Sequence, residues 1–165
     1  MEDLDTTYIK RCIAALSRAH EKLLNCDQED IEYDIYRSAV VKEFEIILEQ
    51  AGRLLKKKIR PYFHSNKAVN SLVFKDVFRH AGLYSLLTID QVERWMEYRD
   101  NRNSTSHDYG EEFANQTLQL IPQFIVDSSD LVEVIDWHRV PESFHQNILK
   151  QYHELAIIHS KRQEQ

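Results

Sequence analysis

Arg102, His107 and Tyr109 fall in one short stretch, Arg102-Asn103-Ser104-Thr105-Ser106-His107-Asp108-Tyr109. A histidine takes and gives a proton near neutral pH. An arginine grips a phosphate through two parallel hydrogen bonds and stabilises charge that builds on it. A tyrosine hydroxyl bonds to, or becomes bonded to, a phosphoryl group. Together the three types point to chemistry on a phosphate ester. A polar helix junction of this kind also occurs as a purely structural feature, and composition alone does not separate the two.

Two helices must position these residues. Asp90 to Asn101 reads as helix, with Ile89, Val92 and Met96 on its buried side. Trp95, Arg99 and Arg102 follow one another at helical spacing. The small polar residues 103–106 then interrupt the pattern, because Ser, Thr and Asn compete for backbone hydrogen bonds and favour helix ends. Asp108 reads as the N-cap of a new helix, with Glu111 three residues on. His107 and Tyr109 are thus expected at a helix N-terminus, where free N–H groups and the dipole favour an anion. Arg102 approaches that point from the end of the preceding helix.

The rest of the chain reads as more helices. It has 165 residues, enough for one domain with a substantial core. Only three glycines and three prolines are present, which argues against a turn-rich β fold. Leu4 to Asn25 is a first helix with Ile9, Cys12, Ile13, Leu16 and Leu23 on one face. A second begins at Asp27 or Asp30 and runs to about Ile59. Its seam, Val40, Phe44, Ile47, Ala51 and Leu54, alternates spacings of four and three. Asn66 to Ala81 is a third, with Leu72, Val73, Val77 and Phe78 inward and Gly82 as its stop. Thr88 and Gln91 form a capping box that opens the fourth. The fifth runs from Tyr109 to about Ile135 through Phe113, Leu118, Ile121 and Ile125, with Pro122 expected to kink or split it. Pro141 to about Ser160 reads as a sixth, more polar helix. The expected fold is all-α: an up-and-down helical bundle over residues 1–135, with an extra helical C-terminal extension over 136–165.

Other residues bear on the same chemistry. Lys56, Lys57 and Lys58 close the second helix ahead of Arg60 and Pro61. They are either cations complementing a helix C-terminus or a phosphate-binding patch, and the sequence leaves both open. Glu43, Glu45 and Glu49 read as a solvated helix face rather than paired carboxylates. His138, His145, His153 and His159 are spaced seven, eight and six apart. Two helical turns, ~11 Å, separate such neighbours, so no metal site is expected. No phosphate-binding glycine loop or paired-cysteine zinc motif is present, and no cofactor is expected. The formal charge of −6 argues against unspecific nucleic-acid binding over the whole surface but not against a local basic cleft. Cys12 and Cys26, if both lie on the first helix, are ~21 Å apart and cannot bridge, which fits a cytoplasmic, reducing compartment.

With Arg102, His107 and Tyr109 in the order Arg, four residues, His, one residue, Tyr, and with Asn103 after the arginine, the chain resembles the HEPN family. Within it, the chain is similar to the toxin subunits paired with MNT-type nucleotidyltransferase antitoxins, formerly described as nucleotidyltransferase substrate-binding proteins. Lys42-Glu43-Phe44-Glu45 with Leu54-Leu55-Lys56, and the block from Phe74 to Leu83 followed by Trp95, agree with that likeness. The resemblance spans roughly Leu4 to Ile135. It implies a HEPN-like core of four or five helices and a metal-independent endoribonuclease toxin acting as a homodimer. Arg102, His107 and Asn103 would be catalytic, and Tyr109 would be the acceptor of AMP from the cognate nucleotidyltransferase. Arg99, Lys56, Lys57 and Lys58 would bind RNA. Two other classes stand beside it: a non-catalytic subunit that positions substrate for a nucleotidyltransferase, and a plain dimerisation bundle.

Overall fold

The computed structural model describes residues 4–103 and 111–137. These residues form six α-helices and one 3-10 turn, with no strand among them. The helices are α1 (Thr7–Leu24), α2 (Ile31–Ile59), α3 (Asn66–Asn70), α4 (Phe74–Leu83), α5 (Ile89–Asn103) and α6 (Glu111–Asp136). The all-α bundle read from the sequence is the fold observed. None of these helices is long and apolar enough to cross a membrane. Compact packing divides the chain between Ile135 and Asp136. The expected helix from Pro141 to Ser160 and the four tail histidines lie outside the described residues.

The long α2 is the spine. Its expected seam of Val40, Phe44, Ile47, Ala51 and Leu54 is buried throughout. Ile9, Cys12, Leu16 and Leu23 of α1 pack into the same core. Phe44, Phe78, Trp95, Tyr98 and Phe124 bring α2, α4, α5 and α6 together as one aromatic cluster. Most of these pairs are tilted or edge-to-face, the arrangement that ring quadrupoles favour. Full burial of each such side chain contributes about 1.5–3 kcal/mol, so this cluster fixes how α5 and α6 meet α2.

Several sequence expectations need correction. The third helix is two helices. Ser65 caps α3 by accepting from the Ala68 N–H at 3.2 Å, and the Ser71 hydroxyl donates to the Ala68 carbonyl at 2.8 Å. Local side-chain bonding of this kind competes with helix propagation. Val73 then takes an extended backbone, precedes α4, and is 63% exposed rather than inward. Phe74 turns toward α2 instead, against Gly52. A Cβ at Gly52 would stand 2.8 Å from the Phe74 Cδ2, so the glycine is what admits the ring.

Gly82 is inside α4, not its stop. The chain turns at Ser85, whose φ of 57° is left-handed. The Ser85 N–H donates to the Gly82 carbonyl and the Leu86 N–H to the Ala81 carbonyl, a Schellman ending built on a serine. The Thr88–Gln91 capping box is present in both directions, at 2.9 and 3.2 Å. Its helix buries Trp95 and Tyr98, however; Ile89 is 76% exposed, and Val92 and Met96 are half-buried. Pro122 does not split α6. It sits on the exposed side, where water can satisfy the carbonyl its missing N–H leaves behind.

Candidate functional site

The motif arginine, Arg102, stands on the last turn of α5, and its Nε lies 3.3 Å from Oε1 of Glu45 on α2. Both side chains keep some exposure, 32% for Arg102 and 19% for Glu45. One turn earlier, Arg99 makes the matching contact. Its Nη1 donates to Oε1 of Glu49 at 2.8 Å, and its guanidinium lies over the Phe74 ring at 4.9 Å. The pairs run in opposite directions along two antiparallel helices, so they form two rungs between α2 and α5. Glu45 and Glu49 were expected on a solvated face. Glu49 is solvated as expected, 67% exposed while it pairs with Arg99, whereas Glu45 is drawn in to 19% beside Arg102. Glu45 and Glu49 are four residues apart and Arg99 and Arg102 three, each about one helical turn, and that pairing is a signal the sequence carried. Glu43 faces the other way, toward Cys12, whose thiol is pushed up by burial first and further by the Glu43 carboxylate.

Asn103 is exposed at the end of α5. His107 and Tyr109 lie outside the described residues, as does the expected Asp108 cap. The helices on either side of them in the chain, α5 and α6, are bonded to each other by side chains. Arg94 donates to both carboxylate oxygens of Asp127, each at 2.7 Å. The Tyr98 hydroxyl donates to Asp127 Oδ2 at 2.6 Å, and Gln123 donates to Oδ1 at 3.3 Å. Asn101 adds a bond to Thr117 at 3.0 Å. Burial alone would raise the Asp127 carboxyl, but hydrogen bonds from Arg94 and Tyr98 outweigh it and hold it below the usual carboxylate range. Burial first, and then the bond to Asp127, pushes the Tyr98 hydroxyl far up. Sequence reading missed this clamp. Its signal was an aspartate on the apolar face of α6, in register with Ile121, Phe124 and Leu131.

Two clefts flank the rungs. One, of about 280 Å³, is lined by Arg37, Lys42, Glu45, Glu111 and Phe113 among others. In it Arg37 is answered by two acids, Asp34 at 2.8 Å and Glu111 at 3.6 Å. The other, of about 270 Å³, is lined by Glu49, Arg53, Lys56, Phe74, Val77 and Arg99 among others.

The lysines at the end of α2 separate. Lys58 is 2% exposed, and its Nζ donates to the Ile135 carbonyl at 2.9 Å. It therefore complements the C-terminal carbonyls of α6 and does not face RNA, which corrects its place in the expected patch. Lys56 lines the second cleft and donates to the Asn70 carbonyl at 3.3 Å. Lys57 is exposed. Among the described residues no cluster of three His, Cys, Asp or Glu side chains is arranged to hold a metal ion.

Comparison with known proteins identifies the family of this helical bundle. Residues 5–136 match the family described as nucleotidyltransferase substrate binding protein like, and the chain belongs to that family. The HEPN resemblance of HepT type is borne out at that level. The chain is 30% identical over 106 residues to a probable ribonuclease HepT of Haemophilus influenzae, covering 64% of this chain and 71% of that one. Its fold is shared with a Haemophilus influenzae structure described as a substrate binding domain of a nucleotidyltransferase. The TM-score is 0.67 at 23% identity, over 79% of this chain and 98% of the other. A crystal structure from Thermus thermophilus superposes with a TM-score of 0.61 at 18% identity, over 77% and 98%.

Proposed function

We propose that the protein is a metal-independent endoribonuclease, the toxin of a HEPN/MNT-type pair. It acts in the cytoplasm as a homodimer and is neutralised by a cognate nucleotidyltransferase. The observation that carries the reading is the placement of Arg102: the motif arginine stands in the last turn of α5, is partly exposed, and pairs with Glu45, which lines a cleft. The name of the 30% identical relative supports the activity, and the family description supports the nucleotidyltransferase partner.

In this mechanism His107 takes the proton of a ribose 2′-hydroxyl. The 2′ oxygen forms a bond to the adjoining phosphorus and the bond to the 5′ oxygen breaks. Arg102 bears the charge that builds on the phosphoryl oxygens, and Asn103 orients the reacting groups. A group of the second protomer returns a proton to the leaving 5′ oxygen. The products are a 2′,3′-cyclic phosphate and a 5′-hydroxyl, and no metal or cofactor takes part. Arg99, Lys56 and Lys57 bind the RNA backbone. The RNA is single-stranded or locally open, since an A-form duplex constrains the in-line geometry. AMP added to Tyr109 places negative charge and bulk where an RNA phosphate must sit, which shuts the enzyme off.

The test is cleavage of a mixed RNA substrate by the purified protein in excess chelator, beside His107→Ala. Cyclic-ended products that vanish in the variant are the expected result. Absence of cleavage by protein whose mass shows an unmodified Tyr109 sinks the proposal. It favours instead a non-catalytic subunit that positions a nucleotide substrate, the second reading that the family description carries.

A further inference from the structure

The groove between α2 and α4 differs in charge from the cleft beside Glu45. Arg53, Lys56 and Arg99 line it, against the single carboxylate of Glu49. Arg53 donates to the side-chain oxygen of Gln50 at 2.9 Å and Lys56 to the Asn70 carbonyl at 3.3 Å. Both partners are neutral, so neither bond cancels a charge. In the cleft beside Glu45, Arg37 is matched by Asp34 and Glu111. The floor of the α2–α4 groove is apolar, with Leu72, Phe74 and Val77. Gly52 keeps it open at the helix crossing, because any side chain there collides with the Phe74 ring. A cationic rim over an apolar and aromatic floor fits a nucleotide unit, whose phosphate is anionic and whose base and sugar have apolar faces. Arg99, on the rim, lies one turn before Arg102, ~4.5 Å along the axis of α5. A single strand can therefore touch both.

We propose that this groove is a phosphate subsite for single-stranded RNA, in which Arg53, Lys56 and Arg99 hold a backbone phosphate next to the one that Arg102 engages. The proposal rests on the nuclease reading for its choice of ligand. Glu49 acts as a gate on it by charge: its carboxylate occupies Arg99 until a phosphate displaces it.

The experiment uses the full chain carrying His107→Ala, which binds RNA without cutting it. Fluorescence anisotropy follows a labelled single-stranded oligoribonucleotide through a series of salt concentrations. Adding Arg53→Gln with Lys56→Gln weakens binding by about tenfold or more, and lowers the salt slope by roughly 0.7 for each phosphate no longer neutralised. Adding Glu49→Gln instead tightens binding several-fold. Glu93→Gln, an exposed acid elsewhere on α5, is the control and leaves the affinity alone. Circular dichroism checks that each variant is folded.

An unaltered affinity and salt slope in the double variant overturns the proposal, as does no binding at all by the His107→Ala chain. Unaltered RNA affinity with lost binding of the cognate nucleotidyltransferase also overturns it and hands the groove to a protein partner. Cleavage by the His107-intact protein, assayed in parallel, keeps the two readings apart. Cleavage with no effect in the double variant sinks the groove alone. The predicted affinity changes without any cleavage sink the nuclease alone and leave the groove a nucleic-acid site.

Discussion

Helix α5 carries two arginine–carboxylate pairs of opposite character. At Arg94 the guanidinium meets Asp127 through two bonds of 2.7 Å, and the acid is fully buried with Tyr98 as a further donor. At Arg102 the contact to Glu45 is 3.3 Å, and both partners keep some exposure. The first pair has its geometry completed by protein. The two arginines are equally exposed, 33% and 32%, so the second pair differs at its carboxylate, which keeps 19% exposure where Asp127 keeps none. Pairs built from the same residue types thus do different work, and the difference lies in desolvation and in the number of donors each carboxylate receives.

The largest effect is expected at the clamp. Arg94→Ala leaves the fully buried Asp127 carboxylate without its bidentate cation. Loss of one member of a buried pair costs about 3–5 kcal/mol, which denaturant titration or calorimetry reads directly. A loss below about 1 kcal/mol would erase the contrast between the two pairs. Arg102→Ala comes next, and its effect is on rate. Removing one donor to a charged transition state lowers turnover by about 10²–10³-fold, while stability changes by about 1 kcal/mol or less. An RNA cleavage assay beside a thermal melt separates the two quantities; a large drop in Tm would make Arg102 a second clamp.

Acid sharpens the same contrast. The Asp127 carboxyl is held below its unfolded value, so its contribution to stability is complete above the unfolded pKa of about 3.9 and is lost as pH falls through the lower folded value. The unfolding free energy of the parent protein should therefore fall more steeply on the acid side of pH 4 than that of Asp127→Asn. Parallel acid limbs for the two proteins would show that the clamp titrates no differently folded than unfolded.

What the sequence disclosed and what it hid follow one physical line. The α2 seam and the Thr88–Gln91 capping box were legible because each depends on residues within a few positions of one another. The place of Arg102 in the last turn of α5 was legible from its helical spacing to Trp95 and Arg99. Features set by distant partners were not. Asn66–Ala81 read as one helix because its apolar period continues across Ser71, yet Phe74 is drawn to Gly52 on another helix. Lys58 read as a surface cation because the carbonyl it serves is at Ile135. Glu45 read as solvent-facing like Glu49, which is, because the arginine that draws Glu45 in belongs to α5. Asp127 escaped notice because an acid on an apolar face makes sense only once Arg94 and Tyr98 are across from it.

The smallest expected effect is the most direct test of the comparison. A double-mutant cycle with Glu45→Ala and Arg102→Ala isolates the coupling between those two side chains, provided that each single change only removes their interaction. For a partly exposed pair the coupling should be about 0.2–1 kcal/mol in folding stability. The same cycle across Asp127→Ala and Arg94→Ala should give a coupling several times larger, because one member left alone is a charge at a buried site. High salt should shrink the first coupling more than the second, since exposed charges are screened and buried ones are not. A Glu45–Arg102 coupling as large and as salt-resistant as that of the clamp would mean that Arg102 is locked to protein. An arginine so locked would have to break its own fold to hold a phosphate, and the proposed chemistry at that residue would fail with it.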